Sequence, residues 1–123
     1  MQPILGRFAP QLYAILRFVA GVLFAFHGAQ KLFGLFGGQQ MPLVSQFGLA
    51  GVIELVGGVM IAVGFLTSLA AFVASGEMAY AYFTVHAPKG TIPIQNAGEL
   101  AALYCFLFLY ISARGTGVWG LRK

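Results

Sequence analysis

The sequence predicts an all-α integral membrane protein, a four-helix transmembrane bundle, and three observations carry that prediction. The 123 residues are 59% hydrophobic and 8% charged, where a typical soluble domain is about 25% charged. A soluble chain of this size hides only about two-thirds of its surface and must coat the rest with polar groups. Seven cations and three acids cannot do so. The mean hydropathy of +0.86 is concentrated in four apolar stretches, each close to the roughly 20 helical residues that cross a 30 Å hydrocarbon core. Finally, Arg7, Lys31, Lys89, Arg114, Arg122 and Lys123 fall near the ends of those stretches, where snorkelling cations belong.

The chain reads as one domain, residues 1–123. A first helix spans about 11–33, follows Pro10 and stops at Gly34, Gly37 and Gly38. It is too long for a signal-peptide core, lacks a convincing cleavage site and carries Arg17, so it reads as retained. A link to Gly48 follows, with Pro42 starting a short interfacial turn. The second helix covers about 49–66 and the third 68–86. The tight connection between them, Gly64 to Ser68, predicts an antiparallel hairpin with Ser68 as N-cap. Pro88 and Pro93 mark the next link, and a fourth helix covers 95–113.

Four crossings place both termini on one side, with Arg7, Arg114, Arg122 and Lys123, and Lys31 and Lys89 opposite. The positive-inside rule assigns the terminal side to the cytoplasm, hence a multi-pass protein of the cell inner membrane. Tyr13, Tyr110 and Trp119 fall where interfacial aromatics are expected. Small residues recur every four positions, as in Gly21, Ala25, Ala29 and in Ala71, Ser75, Ala79. Such rows let helices approach closely within the bundle or in a homo-oligomer.

Composition also removes alternatives. A net charge of +4 suggests nucleic acid, but no cationic face forms. Cys105 is the only cysteine, so neither an intrachain disulfide nor a Cys-x-x-Cys pair exists. A di-iron bundle needs Glu-x-x-His pairs, whereas Gly57, Tyr80 and Ala102 follow the three glutamates; no metal site is expected. With no Ser/His/Asp set, P-loop or dinucleotide fingerprint, no catalytic residue is assigned. Bis-His haem on His27 and His86 is disfavoured, because His86 falls at the interface.

The acids are the informative residues. Glu54, Glu77 and Glu99 all lie inside expected helices, and at about 3 kcal/mol per central charge three unpaired carboxylates cost about 9 kcal/mol, comparable with a whole protein's stability. They must be paired, protonated or turned to a wet cavity. At 100° per residue, Arg17, His27 and Lys31 share an arc of roughly 80°. Glu54 shares a face with Gly51, Gly57, Gly58 and Ile61, Glu99 with Asn96, and Glu77 with Thr84, while His86 lies opposite Glu77. Depth then assigns His27, Lys31, Glu54 and Glu99 to a ligand pocket opening to the extracytoplasmic side. Arg17 and Glu77 form a deeper ion pair.

Several strings carry a resemblance. Arg17 to Gly21 with His27-Gly28 and Lys31-Leu32-Phe33, then Glu54-Leu55-Val56-Gly57-Gly58, then Ser75-Gly76-Glu77-Met78 with His86-Ala87-Pro88, and finally Gly98-Glu99-Leu100 through Phe108-Leu109-Tyr110 together resemble the DoxX family of small membrane proteins. The tail departs from it: relatives often end Trp-Ser-Leu-Asp, whereas Trp119 is followed by Gly120-Leu121-Arg122-Lys123. The resemblance implies a four-helix protein of the bacterial or archaeal cytoplasmic membrane. It also implies links to thiosulfate:quinone oxidoreductase and to complexes handling thiol or oxidative stress. Arg17, His27, Lys31, Glu54, Glu77 and Glu99 match the family's polar positions.

The expected function is a membrane subunit or partner of a quinone-linked sulfur or thiol oxidoreductase. Glu54, Glu99 and His27 would manage protons and Lys31 would hold an anionic substrate. The ligand would be quinone-like or a small sulfur-containing molecule, and an oxidoreductase partner or a bound cofactor of unassigned identity, quinone being one candidate, supplies the redox centre. The alternative is a non-enzymatic anchor or assembly factor whose buried charges only lock the helices. A small transporter or lipid-binding protein ranks third.

Overall fold

The computed structural model describes residues 2–122. Pro10 sits in the first turn of α1 (Ala9–Phe33), where its missing N–H leaves no helical bond unmade. Gly34 ends the helix in the left-handed conformation, φ 67°, as a glycine cap does. Pro42 starts a single turn, its C=O accepting from Ser45 N–H at 3.0 Å, and the link before it folds back, with Met41 N–H donating to Lys31 C=O at 2.7 Å. Ser45 then caps α2 (Gln46–Val63), its hydroxyl accepting from Gly48 N–H at 3.0 Å, so the helix begins ahead of its apolar run.

α3 (Thr67–Ala81) follows Leu66, itself left-handed at φ 48°. Ser68 is not its cap: the hydroxyl donates across to Ser112 C=O at 2.7 Å. α3 continues without a break into a π-helical segment, Tyr82–His86, and a 3-10 turn, Ala87–Lys89. The expected fourth helix is divided. A single turn, α4 (Pro93–Asn96), stops where Ala97 turns left-handed at φ 62°. α5 (Glu99–Arg114) then starts afresh. Asn96, 1% exposed, holds the corner: its Oδ1 accepts from Gly98 N–H at 2.8 Å, and its Nδ2 donates to Gly90 C=O and to the Tyr82 hydroxyl.

The result is all-helical, with no strand among the described residues. Two closely packed pairs, α1 with α2 and α3 with α5, make up the bundle. Glycine zips the first pair. A Cβ on Gly21 would meet the backbone of Gly58 and Ala62, and one on Gly28 the backbone of Gly51 and Leu55. Gly28, rather than the Ala29 of the four-residue row, is therefore the contact. The two pairs meet through Phe24, whose ring lies 4.7 Å from that of Phe108 and 5.4 Å from that of Tyr104.

This interior is built from small residues. Ala14, Ala20, Ala70, Ala71, Ala74 and Ala101 are buried, while Leu23, Phe26, Val56, Val59, Phe72 and Phe106 point outward. α1, with the turn before it, and α2 are each long and apolar enough to cross a membrane.

The start of α1 and the C-terminal tail lie at one end. Tyr13 hydroxyl donates to Gly115 C=O at 2.7 Å, and the tail runs under the α2–α3 link, where Leu66 N–H donates to Arg122 C=O at 2.9 Å. Arg17, 2% exposed, anchors it by donating to the carbonyls of Thr116, Val118 and Trp119.

Candidate functional site

At the opposite end α1 finishes, α2 begins, and α3 passes through its π segment toward the α4 corner. Lys31, in the last turn of α1, reaches α2 and donates to Glu54 Oε2 at 2.6 Å. The glycine contact of Gly28 with Gly51 and Leu55 brings the two helices close enough for this bridge. Glu54 is fully buried at 0% exposure, and Lys31 is 27% exposed at its side chain. Glu77 of α3 comes within hydrogen-bonding reach of Glu54. Each carboxyl keeps a buried Oε1 that receives no donor from the described residues.

Two cavities flank this cluster. One, of about 350 Å³, is lined by His27, Lys31, Glu54, His86, Tyr104 and apolar neighbours. The other, of about 490 Å³, opens between α2 and α3 and is lined by Lys31, Ile53, Glu77 and Tyr80 among others. Lys31, Phe47, Ala81 and Val85 belong to both, so the cavities adjoin. Mostly apolar walls with a few convergent polar groups are the usual form of a small-molecule site. His27 stands edge-on to Tyr104, ring centroids 6.2 Å apart. His86 Nδ1 lies 3.1 Å from Asn96 C=O.

Three of the four expected pocket residues, His27, Lys31 and Glu54, thus line one cavity. Glu99 does not join them. It is exposed on the outer side of α5, in a shallow depression with Pro93, Leu103 and Phe106. The separate α4 turn resets the helical phase before Glu99, which defeats an angle counted through one continuous helix. The expected Arg17–Glu77 ion pair is also absent from the structure: Arg17 is taken up by tail carbonyls at one end, and Glu77 lies by Glu54 and Lys31 at the other. Tail carbonyls carry no sequence signal, so a charge count alone could not find this partner.

His86, in the π segment Tyr82–His86, lines the smaller cavity with His27 and Glu54, whereas Glu77 lines the larger one, so the two stay on different faces as expected; π-bulges are frequent at functional sites. Tyr104, beside Cys105 in α5, lines the smaller cavity too, with nothing in the sequence pattern to mark it. Among the described residues no group of three or more His, Cys, Asp or Glu side chains is arranged to hold a metal ion.

The family description named DoxX matches residues 12–87, more than half of the chain. The chain belongs to the DoxX family. It is also 42% identical over 124 residues to an uncharacterized protein of Haemophilus influenzae (strain ATCC 51907 / DSM 11121 / KW20 / Rd), covering 95% of this chain and 92% of the relative. No solved structure matches it. The DoxX match spans α1, α2, α3 and the π segment, and so includes His27, Lys31, Glu54, Glu77 and His86.

Proposed function

We propose that this DoxX protein is a four-pass inner-membrane protein that binds a quinone-like amphiphile in the cavity beside Lys31, Glu54 and Glu77, as the membrane subunit or partner of an oxidoreductase. The observation that carries the reading is the buried Lys31–Glu54 bridge with Glu77 beside it, set between two apolar cavities. Ionisable groups at membrane depth are costly and mark functional sites by default. This cluster has apolar room on both sides for a ring and a chain.

The four-pass reading is supported by the outward faces of all four long helices. Leu16 and Leu23 of α1, Val56 and Val59 of α2, Leu69 and Phe72 of α3, and Leu103 and Phe106 of α5 are exposed and apolar. Water would penalise that arrangement and lipid would not. Cytoplasmic termini are supported by Arg7, Arg114 and Arg122 at the terminal end. With no electron carrier among its side chains, the protein's place in redox chemistry is to hold the ligand and its protons while a partner supplies the electrons.

The test is purification in mild detergent, with an absorption spectrum and mass spectrometry of the organic extract. A stoichiometric quinone in the wild type, lost in Glu54→Gln and kept in Glu99→Gln, is the expected result. Bulk lipid alone, with Glu54→Gln lowering only the melting temperature, would establish the other reading that the bridge favours: a charge lock between α1 and α2 in an assembly factor.

A further inference from the structure

The smaller cavity carries one buried acceptor that no donor among the described residues fills. Glu54 Oε2 is held by Lys31 at 2.6 Å, whereas Glu54 Oε1 is buried and without a donor. His86 lines the same cavity, its Nδ1 turned to a carbonyl oxygen, Asn96 C=O at 3.1 Å; a carbonyl only accepts, so Nδ1 donates to it. Both residues line one cavity but come from different elements, α2 and the π segment after α3. The other titratable groups on its walls are Lys31, committed to Glu54, and His27 and Tyr104, whose rings meet edge-on and which keep donors of their own.

We propose that this cavity selects the hydroxyl-bearing form of its ligand, a phenol or quinol whose O–H donates to Glu54 Oε1, over the carbonyl form, which only accepts. The inference rests on the quinone-type reading above and names which redox form the site holds. A buried acceptor left without a donor is costly, and satisfying it with a charge-assisted hydrogen bond recovers that cost. The competing state is internal, with a single proton between Glu54 and Glu77 satisfying both carboxyls and leaving the ligand nothing to supply. A tenfold preference for the reduced form raises the potential of the bound two-electron couple by about 30 mV, which makes the bound quinone the easier one to reduce.

The experiment measures anaerobic binding of a decyl-substituted benzoquinol, its benzoquinone and its bis-O-methyl ether to the full-length protein in detergent. The quinol is expected to bind about tenfold or more tightly than the other two. In Glu77→Gln the new amide can donate to Glu54 Oε1, so that preference is expected to fall to near one, whereas Glu99→Gln, outside the cavity, is expected to keep it. Equal binding of quinol and quinone by the wild type overturns the inference and leaves the quinone-type reading standing. A preference that survives both Glu77→Gln and Glu54→Gln also overturns it. Binding of none of the three overturns both.

Discussion

Replacing Gly28 by alanine tests the glycine zipper and the site together. The added Cβ would meet Gly51 C=O at 2.6 Å and the backbone of Leu55 closer still, where ordinary contact begins at 3.4 Å. These are main-chain atoms that cannot rotate away, so α1 and α2 must part locally by about 1 Å, and a gap of that size forfeits a quarter to a half of each dispersion contact. Overpacking of this kind costs about 1–3 kcal/mol, against which alanine returns about 1 kcal/mol in helix propensity. The net expectation is a loss of up to about 2 kcal/mol, together with a longer Lys31–Glu54 bridge, since Lys31 lies one turn beyond Gly28. Gly76→Ala is the matched control. That glycine is exposed inside α3 with nothing within 4 Å of its Cβ position, so the same change should stabilise by about 0.5–1 kcal/mol. Thermal unfolding of both variants in one detergent is the assay. Shifts of the same sign would refute the argument that backbone contact, rather than glycine content, sets the response.

Two further outcomes follow from the partnered cations. Arg17→Met removes the donor to three tail carbonyls; the tail should come free, read as faster trypsin cleavage after Arg114, with a loss of about 2–4 kcal/mol. Lys31→Met leaves Glu54 buried and unpaired and should cost about 3–5 kcal/mol, and adding Glu54→Gln should return part of it, a recovery that a double-mutant cycle in thermal unfolding would measure.

The helices were legible because their apolar runs are long and end in residues with a clear physical role, such as Gly34 and Gly64. Ser45 was less visible: it caps through its side chain, yet it sits outside the apolar run that hydropathy detects. The pairing of Lys31 with Glu54 lay within reach, since both positions pointed toward a close neighbour and to the same depth. Arg17, Glu77, His86 and Glu99 were harder for one shared reason. Helical phase says which way a residue faces only while the helix is uniform, and it never says what stands opposite. The π segment, the left-handed Ala97 and a tail held by backbone carbonyls each lie outside a pattern built on side-chain type.

The anchoring of the tail has a consequence for how the protein is made. Arg17 finds its partners 99 to 102 positions later in the chain. At 5–20 residues per second of synthesis, that charge waits on the order of 5–20 s after it emerges. Through that interval α1 carries a guanidinium whose carbonyl partners do not yet exist, and it is free to hold water or another acceptor instead. The segment from Thr116 to Trp119 therefore completes the first helix. A chain stopped just short of Thr116 would contain every helix and still leave Arg17 without those three carbonyls.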